Sequence, residues 1–345
     1  MKSNYLSDTI DPLALHRSLT TVDAHIDIPW PTGPDPFLDG TRRVDLPKMR
    51  RGGVATGFFA AYVPQLRRDP ASEAAAFERA VAMLTAIRGM GRSEGDLVAR
   101  VSETARDIVR AKQDGVLSIA LAVENGFAIG TDLSRLARLR ELGARYLTLT
   151  HNGHNALADS AIPRPDLDDA PSEHGGLSEL GRAAIGELNR LGMLVDVAHV
   201  SRDAMLQAAR ISRTPVVSTH SCVRALCDHR RNMDDAQLFA LRDTGGVIQI
   251  TAMPAFLRPG GHADKVTVAD FVDHIDYAVQ RIGVAHVGIG SDFDGGGGIS
   301  GWQNAGDSAN LTVELVTRGY AEEEIAGLWG ENFLRVLRIA EHVAG

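Results

Sequence analysis

Short apolar runs rich in β-branched residues alternate with longer amphipathic stretches along most of the chain, and these two periods, near 2 and near 3.6, distinguish strand from helix. In order, the runs are TVDAHIDI (21–28), ATGFFAAYV (55–63), VLSIALAVEN (116–125), YLTLTHN (146–152), LVDVAHVS (194–201), PVVSTHS (215–221), GVIQITAM (246–253) and HVGIGSDF (286–293). They predict eight strands. The clearest helix between them is TVADFVDHIDYAVQRIG, in which Phe271, Ile275, Ala278 and Ile282 share one face, Thr267 and Asp270 form a capping box and Gly283 is the stop. A second helix runs from Ser178 to Gly192 with Ile185, Leu188 and Leu191 as its stripe.

Parallel strands must be joined by crossovers, and eight of them with helical crossovers predict a (β/α)8 TIM barrel, here a single domain over residues 1–345. The alternative is an open doubly wound sheet. Polar residues decide between the two: Glu124, His151, His199, His220 and Asp292 fall near the C-terminal ends of their strands, joined by His25 and Asp27 on the first. A barrel gathers those ends at one mouth, whereas an open sheet spreads them along an edge. Two segments are expected as loops at that mouth. One is the proline-rich PWPTGPDPFLDG (29–40); the other is the glycine run 295–298, which lacks the Lys-Ser/Thr or the spaced glycines of a phosphate loop and reads as a flexible active-site loop.

His25 and Asp27, two positions apart, project to one face of an otherwise apolar strand. A lone buried His or Asp is ordinarily a hydrogen-bonded core residue. An uncompensated carboxylate in such a run is costly to desolvate, however, and the pair points to a bound cation. Glu124 ends SIALAVE, where a carboxylate that caps a helix or sits in a loop is the plain alternative. His199 and His220 each close a strand one β/α unit apart, which places two imidazoles side by side. Three histidines and two carboxylates suit Zn²⁺, and with Glu124 bridging they would hold two ions about 3.5–4 Å apart. His154, His174, His229, His262, His274, His286 and His342 read as solvated or structural, and Asp196, out of phase with His199, as a group behind the ligands. Asp294 competes with Asp292, which is preferred because it ends the strand itself.

At 345 residues and 44% hydrophobic content the chain can bury one large core. A net charge of -8, without any Lys/Arg cluster interleaved with aromatics, argues against nucleic acid and for a small-molecule partner. The opening MKSNYLSDTIDPLALHRSL has no apolar segment of the secretory kind, and no run approaches the roughly 20 apolar residues of a membrane span. A cytoplasmic protein with no membrane association is therefore expected. Cys222 and Cys227, in CVRALC, fit neither a zinc knuckle nor a disulfide framework and are expected as free thiols.

The motifs DAHIDIPW, VDLPKMRRGGVATGFFAAYV, AVENG, LTLTHN, GLSELGRAAIGELNRLGMLVDVAHVS, PVVSTHS, RRNMDD and GSDFDG, in that order, resemble the membrane dipeptidase (renal dipeptidase) family, peptidase family M19 of the amidohydrolase superfamily. The His-x-Asp on the first strand, in place of the His-x-His of most amidohydrolases, is a mark of that family. The resemblance implies a zinc-dependent dipeptidase with two Zn²⁺ per chain, held by His25, Asp27 and Glu124 on one side and Glu124, His199 and His220 on the other. It further implies that His151 polarises the scissile carbonyl, that Arg231 holds the substrate carboxylate, with Arg230 as the alternative, and that Asp292 shuttles the proton. The reaction it implies is hydrolysis of L-Xaa-L-Xaa dipeptides by metal-activated hydroxide, with L-Xaa-D-Xaa and a homodimer left open. The segment TAMPAFLRPGGHADK matches the family poorly, and Gly153 stands where animal members have a cysteine. Two rivals remain at this point: another metallohydrolase of the superfamily, such as a lactonase or deaminase, and a non-catalytic metal-stabilised binding barrel. A lactonase of the phosphotriesterase kind would be expected to carry a lysine on the fourth strand, where this chain offers His151.

Overall fold

The computed structural model describes residues 10–28 and 33–344. Eight strands run parallel and pair in chain order: β1 (Val22–Asp27), β2 (Thr56–Tyr62), β3 (Leu117–Glu124), β4 (Ala144–Thr148), β5 (Leu194–Asp196), β6 (Val216–Ser221), β7 (Val247–Ile250) and β8 (Val287–Ile289). The ring is closed by the segment after β8: the Asp292 N–H donates to His25 O and the Asp27 N–H to Phe293 O, both at 3.0 Å. Helices cover the outside, so most strands are buried on both faces and read as nearly continuous apolar runs.

The barrel interior is filled by small and large side chains in turn, among them Ala24, Phe58, Ala120, Tyr146 and Val217. Its floor is sealed by the helix Asn332–Val343, whose Phe333 meets Phe58 edge to face at 5.0 Å. The two helices legible from their caps form as expected. Val268–Ile282 has the Thr267/Asp270 capping box, and Glu179–Leu191 starts on Ser178 and ends at Gly192 with φ 66°. Cys222 and Cys227 are free thiols. No helix among the described residues is long and apolar enough to cross a membrane.

Three boundaries differ from expectation, and all three bear on the site. β4, β5 and β8 stop at Thr148, Asp196 and Ile289, so His151, His199 and Asp292 stand in the loops just beyond and do not close their strands. His199 and Asp292 have φ of 67° and 58°, left-handed conformations that cannot continue a ladder and that re-aim the side chain across the mouth. A further difference is a hairpin of Ser93–Glu94 and Leu97–Val101, whose second strand extends the sheet alongside the start of β3. In the proline-rich loop, residues 29–32 lie outside the described residues; beyond them Phe37 is buried under the Arg92 guanidinium. The glycine run does line the mouth, in a turn where the Gly297 and Gly298 N–H groups bond Asp292 O and Ala252 O at 2.7 and 2.9 Å.

Candidate metal centre

Glu124, at the end of β3, is almost fully buried and presents its two oxygens to different histidines. Its Oε2 lies 3.6 Å from His25 Nε2, which in turn lies 3.7 Å from Asp27 Oδ1. Its Oε1 lies 3.1 Å from His199 Nε2 and 3.5 Å from His220 Nε2. Ligand atoms about 2.0–2.2 Å from a tetrahedral ion stand roughly 3.3–3.6 Å from one another, so the spacings at His25 and His220 fit a shared cation better than direct contacts, while that at His199 is also within hydrogen-bond reach. His25 Nε2, His220 Nε2, Glu124 Oε2 and Asp27 Oδ1 are buried without a hydrogen-bond partner. Orphaned polar atoms of this kind cost about 1–3 kcal/mol each. These atoms fall into neighbouring groups that share His25, with Glu124 and His220 in one and Asp27 in the other, a donor set of N and O suited to zinc, and the residues present fit such ions.

The charges give the same reading. Burial opposes a charge on His25, yet Glu124, Asp27 and Asp292 together pull its pKa up to about 10. Burial and the neighbouring Glu124 push Asp27 well above the usual carboxylate range, and burial with Glu124 and Asp23 carries Asp292 to about 7 despite His25 and Arg231. Burial works against the Glu124 carboxylate too, but His25 and His199 hold it ionised. Too many carboxylates therefore share the available protons, an excess of negative charge that divalent cations would compensate.

Behind the ligands, each imidazole is held through its other nitrogen. The Tyr146 hydroxyl donates to Ala24 O at 3.0 Å, so toward His25 Nδ1, 2.9 Å away, it is the acceptor. The Thr219 hydroxyl donates to Asp196 Oδ2 at 2.7 Å and accepts from His220 Nδ1 at 3.0 Å. Asn152 Oδ1 accepts from His199 Nδ1 at 3.2 Å. All three rings thus donate from Nδ1, which orients Nε2 toward Glu124. Asp196, fully buried, anchors this layer through Thr148, Thr219 and two backbone N–H groups, the supporting position expected of it. Replacing Tyr146 with Phe should weaken retention of a bound divalent metal about 10- to 100-fold, measured by competition with a chelator, while the circular dichroism spectrum is unchanged.

His151 is half-buried, its ring 4.3 Å from that of His199 and near-perpendicular to Tyr62 at 4.9 Å; it is close enough to Glu124 and His199 to belong to a ligand group with them. Asp292 groups likewise with His25 and Asp27. Its rival Asp294 is committed elsewhere, with Oδ1 and Oδ2 accepting the Arg43 and Val44 N–H groups at 2.9 and 3.1 Å. Gly295 packs so closely on Asp27 and Asp292 that a Cβ there would collide with both carboxylates, which explains a glycine at this point without any need of a special φ. Arg231 is buried, donates from Nη2 to His220 O at 3.1 Å, leaves Nε unpartnered and lies over Phe256, whereas Arg230 is exposed. His154 and His274, buried and bonded to backbone groups, are structural. Sequence reasoning missed Tyr146, Thr219 and Asn152. The signal for Tyr146 was its parity with Thr148 on β4, which turns both inward, and for the other two their place beside His220 and His151.

A parallel barrel that collects imidazoles and carboxylates around one buried glutamate at its C-terminal mouth is a metallohydrolase of the amidohydrolase type. The chain belongs to the membrane dipeptidase family, peptidase family M19, whose model matches residues 12–345, and is a metallo-dipeptidase. It is 36% identical over 308 residues to the dipeptidase aclJ of Aspergillus oryzae, covering 88% of this chain and 71% of that protein. Among solved structures it resembles the probable dipeptidase PvdM of Pseudomonas aeruginosa, with 31% identity, a TM-score of 0.91 and coverage of 96% and 98% of the two chains. It also resembles a metallopeptidase of Rhodobacter sphaeroides liganded with a phosphinate mimic of L-Ala-D-Ala, with 28% identity, a TM-score of 0.81 and coverage of 93% and 99%.

Proposed function

We propose that the chain hydrolyses L-Xaa-L-Xaa dipeptides at two zinc ions, held by His25, Asp27 and Glu124 on one side and by Glu124, His199 and His220 on the other. The observation that carries this reading is the placement of Glu124, one oxygen toward His25 and the other toward His199 and His220. When bound, such ions supply the Lewis acidity that makes water nucleophilic at neutral pH and polarises a carbonyl.

The chain's own groups do the rest. Arg231 takes the substrate's free carboxylate, because a guanidinium forks onto two oxygens with parallel hydrogen bonds. Its own bond to His220 O ties that anchor to a strand that carries a proposed ligand. His151, kept neutral by burial, donates an N–H to the carbonyl oxygen as negative charge builds there, a contribution whose loss typically costs about 10²- to 10³-fold. The Asp292 carboxylate accepts the proton released by the attacking water and passes it to the leaving nitrogen.

Metal analysis of protein purified without chelator tests the centre, and two zinc ions per chain are expected. Arg231→Met should raise KM for dipeptides about 10- to 100-fold with zinc content intact. The wild type should be correspondingly poor on C-terminally amidated dipeptides and on tripeptides, whose carboxylate falls out of register with the scissile bond. Cleavage of an amidated dipeptide as fast as the free acid would show that this anchor does not select the substrate.

A further inference from the structure

A cavity of about 270 Å³ opens beside the centre, bounded by Asp27 and His151 on the metal side and by Ile28, Tyr62, Met83 and Arg79 on the other. It lies toward β1 and β2, while Arg231 comes from the loop after β6 and stacks on Phe256 after β7. In a ring of eight strands paired in order, β2 faces β6 across the mouth. A dipeptide whose C-terminal carboxylate is held by Arg231 and whose scissile bond lies over Glu124 therefore directs its N-terminal residue into this cavity.

The chemistry of the lining is uneven. Ile28, Met83 and the Tyr62 ring form an apolar wall, long enough to pack the methylenes of a side chain. Of the charged groups, Asp27 faces His25 in the metal centre, and both oxygens of Asp294 are taken by backbone N–H groups. Arg79, on the helix Pro70–Arg88, has no such commitment. Its Nε donates to Tyr62 O at 3.1 Å, which pins the guanidinium at the cavity, and no carboxylate of the described residues lies within 4.0 Å of it. The Tyr62 hydroxyl, on the same lining, is a second donor. The cavity thus combines an apolar wall with a cation and an O–H, while the unpartnered acceptor on its metal side, Asp27 Oδ1, faces His25.

We infer that Arg79, with Tyr62, makes this cavity a subsite for an N-terminal residue whose side chain ends in a carboxylate, and that the preferred substrates are L-Glu-Xaa dipeptides. The inference rests on the dipeptidase reading above. A glutamate side chain fits the volume, lays two methylenes on Met83 and Ile28, and delivers two oxygens to the guanidinium and the hydroxyl. Its isostere glutamine has the same shape but offers the guanidinium one neutral oxygen in place of two charged ones, which forfeits the charge-assisted fork.

The test is the ratio of kcat/KM for L-Glu-L-Ala to that for L-Gln-L-Ala, measured on the zinc-loaded full chain. A ratio of roughly 10 to 100 is expected for a charge-assisted fork. Arg79→Met should bring the ratio to about one, and Arg79→Glu should make L-Lys-L-Ala a better substrate than L-Glu-L-Ala; thermal melting checks that both variants fold, as an exposed helical position should allow. A wild-type ratio near one, with both dipeptides cleaved, overturns the subsite and leaves the dipeptidase reading intact. A high ratio that survives Arg79→Met overturns the assignment to Arg79. Failure of the zinc-loaded protein to cleave any dipeptide overturns the underlying reading, and the subsite with it.

Discussion

Replacing Glu124 with Gln is expected to empty both halves of the centre at once: zinc per chain falls from two to below one, and kcat/KM drops by roughly 10³-fold at limiting zinc. The reason is geometric. Glu124 Oε2 faces His25 and Oε1 faces His199 and His220, so whichever way the amide turns, one group of imidazoles meets an N–H₂. Its negative charge is lost to both sides as well. The amide preserves volume, and the packing of β3 is otherwise untouched, so a change in secondary structure is not expected. A variant that retains one tightly held zinc per chain would show that the two sides are independent and that Glu124 does not bridge them.

Asp292→Asn separates proton transfer from metal binding. Asn is the residue that best tolerates the left-handed backbone at this point, φ 58°, after glycine, so the turn and its bond to His25 O should survive. An amide cannot accept the proton, and kcat should fall about 10²- to 10⁴-fold while zinc content stays at the wild-type value. Loss of zinc together with activity would instead make Asp292 a ligand beside His25 and Asp27, with which it lies within reach of one ion. Retention of activity would hand the proton to another group; Asp294, with both oxygens occupied, is poorly placed to take it.

Much of this was legible in the chain because its pattern is local. Eight β-rich runs, the 25/27 pair in phase on one strand, and two helices with complete caps are all read within a window of a few residues, and each forms. What escaped depended on contacts between distant segments or on single dihedral angles. His199 and Asp292 look like strand ends, yet one left-handed residue in each takes the chain off the ladder and swings the side chain over the mouth. The strand Leu97–Val101 is short, half-exposed and carries a charge, and it acquires its place only by lying against β3. Tyr146 reaches His25 from a strand 121 residues away, and no periodicity announces a hydroxyl that will meet a particular ring. Arg79 looks like any arginine on a surface helix until that helix is laid across β2.

The ring of strands is joined at its ends by the backbone of His25 and Asp27 on one side and Asp292 and Phe293 on the other. In most folded chains the terminal strands are where partial opening begins, since they hold the fewest partners. Here that opening would carry Asp292 away from the other acids and pull His25 off Glu124. Ligand occupancy and cohesion of this seam are therefore linked quantities: an ion bound to the closed form alone stabilises it by RT ln(1 + [ion]/Kd), and every parting of the seam must first release it. Zinc supply in the surroundings would then be felt as the lifetime of the closed ring, making this enzyme's resistance to unfolding a gauge of the metal it has been given.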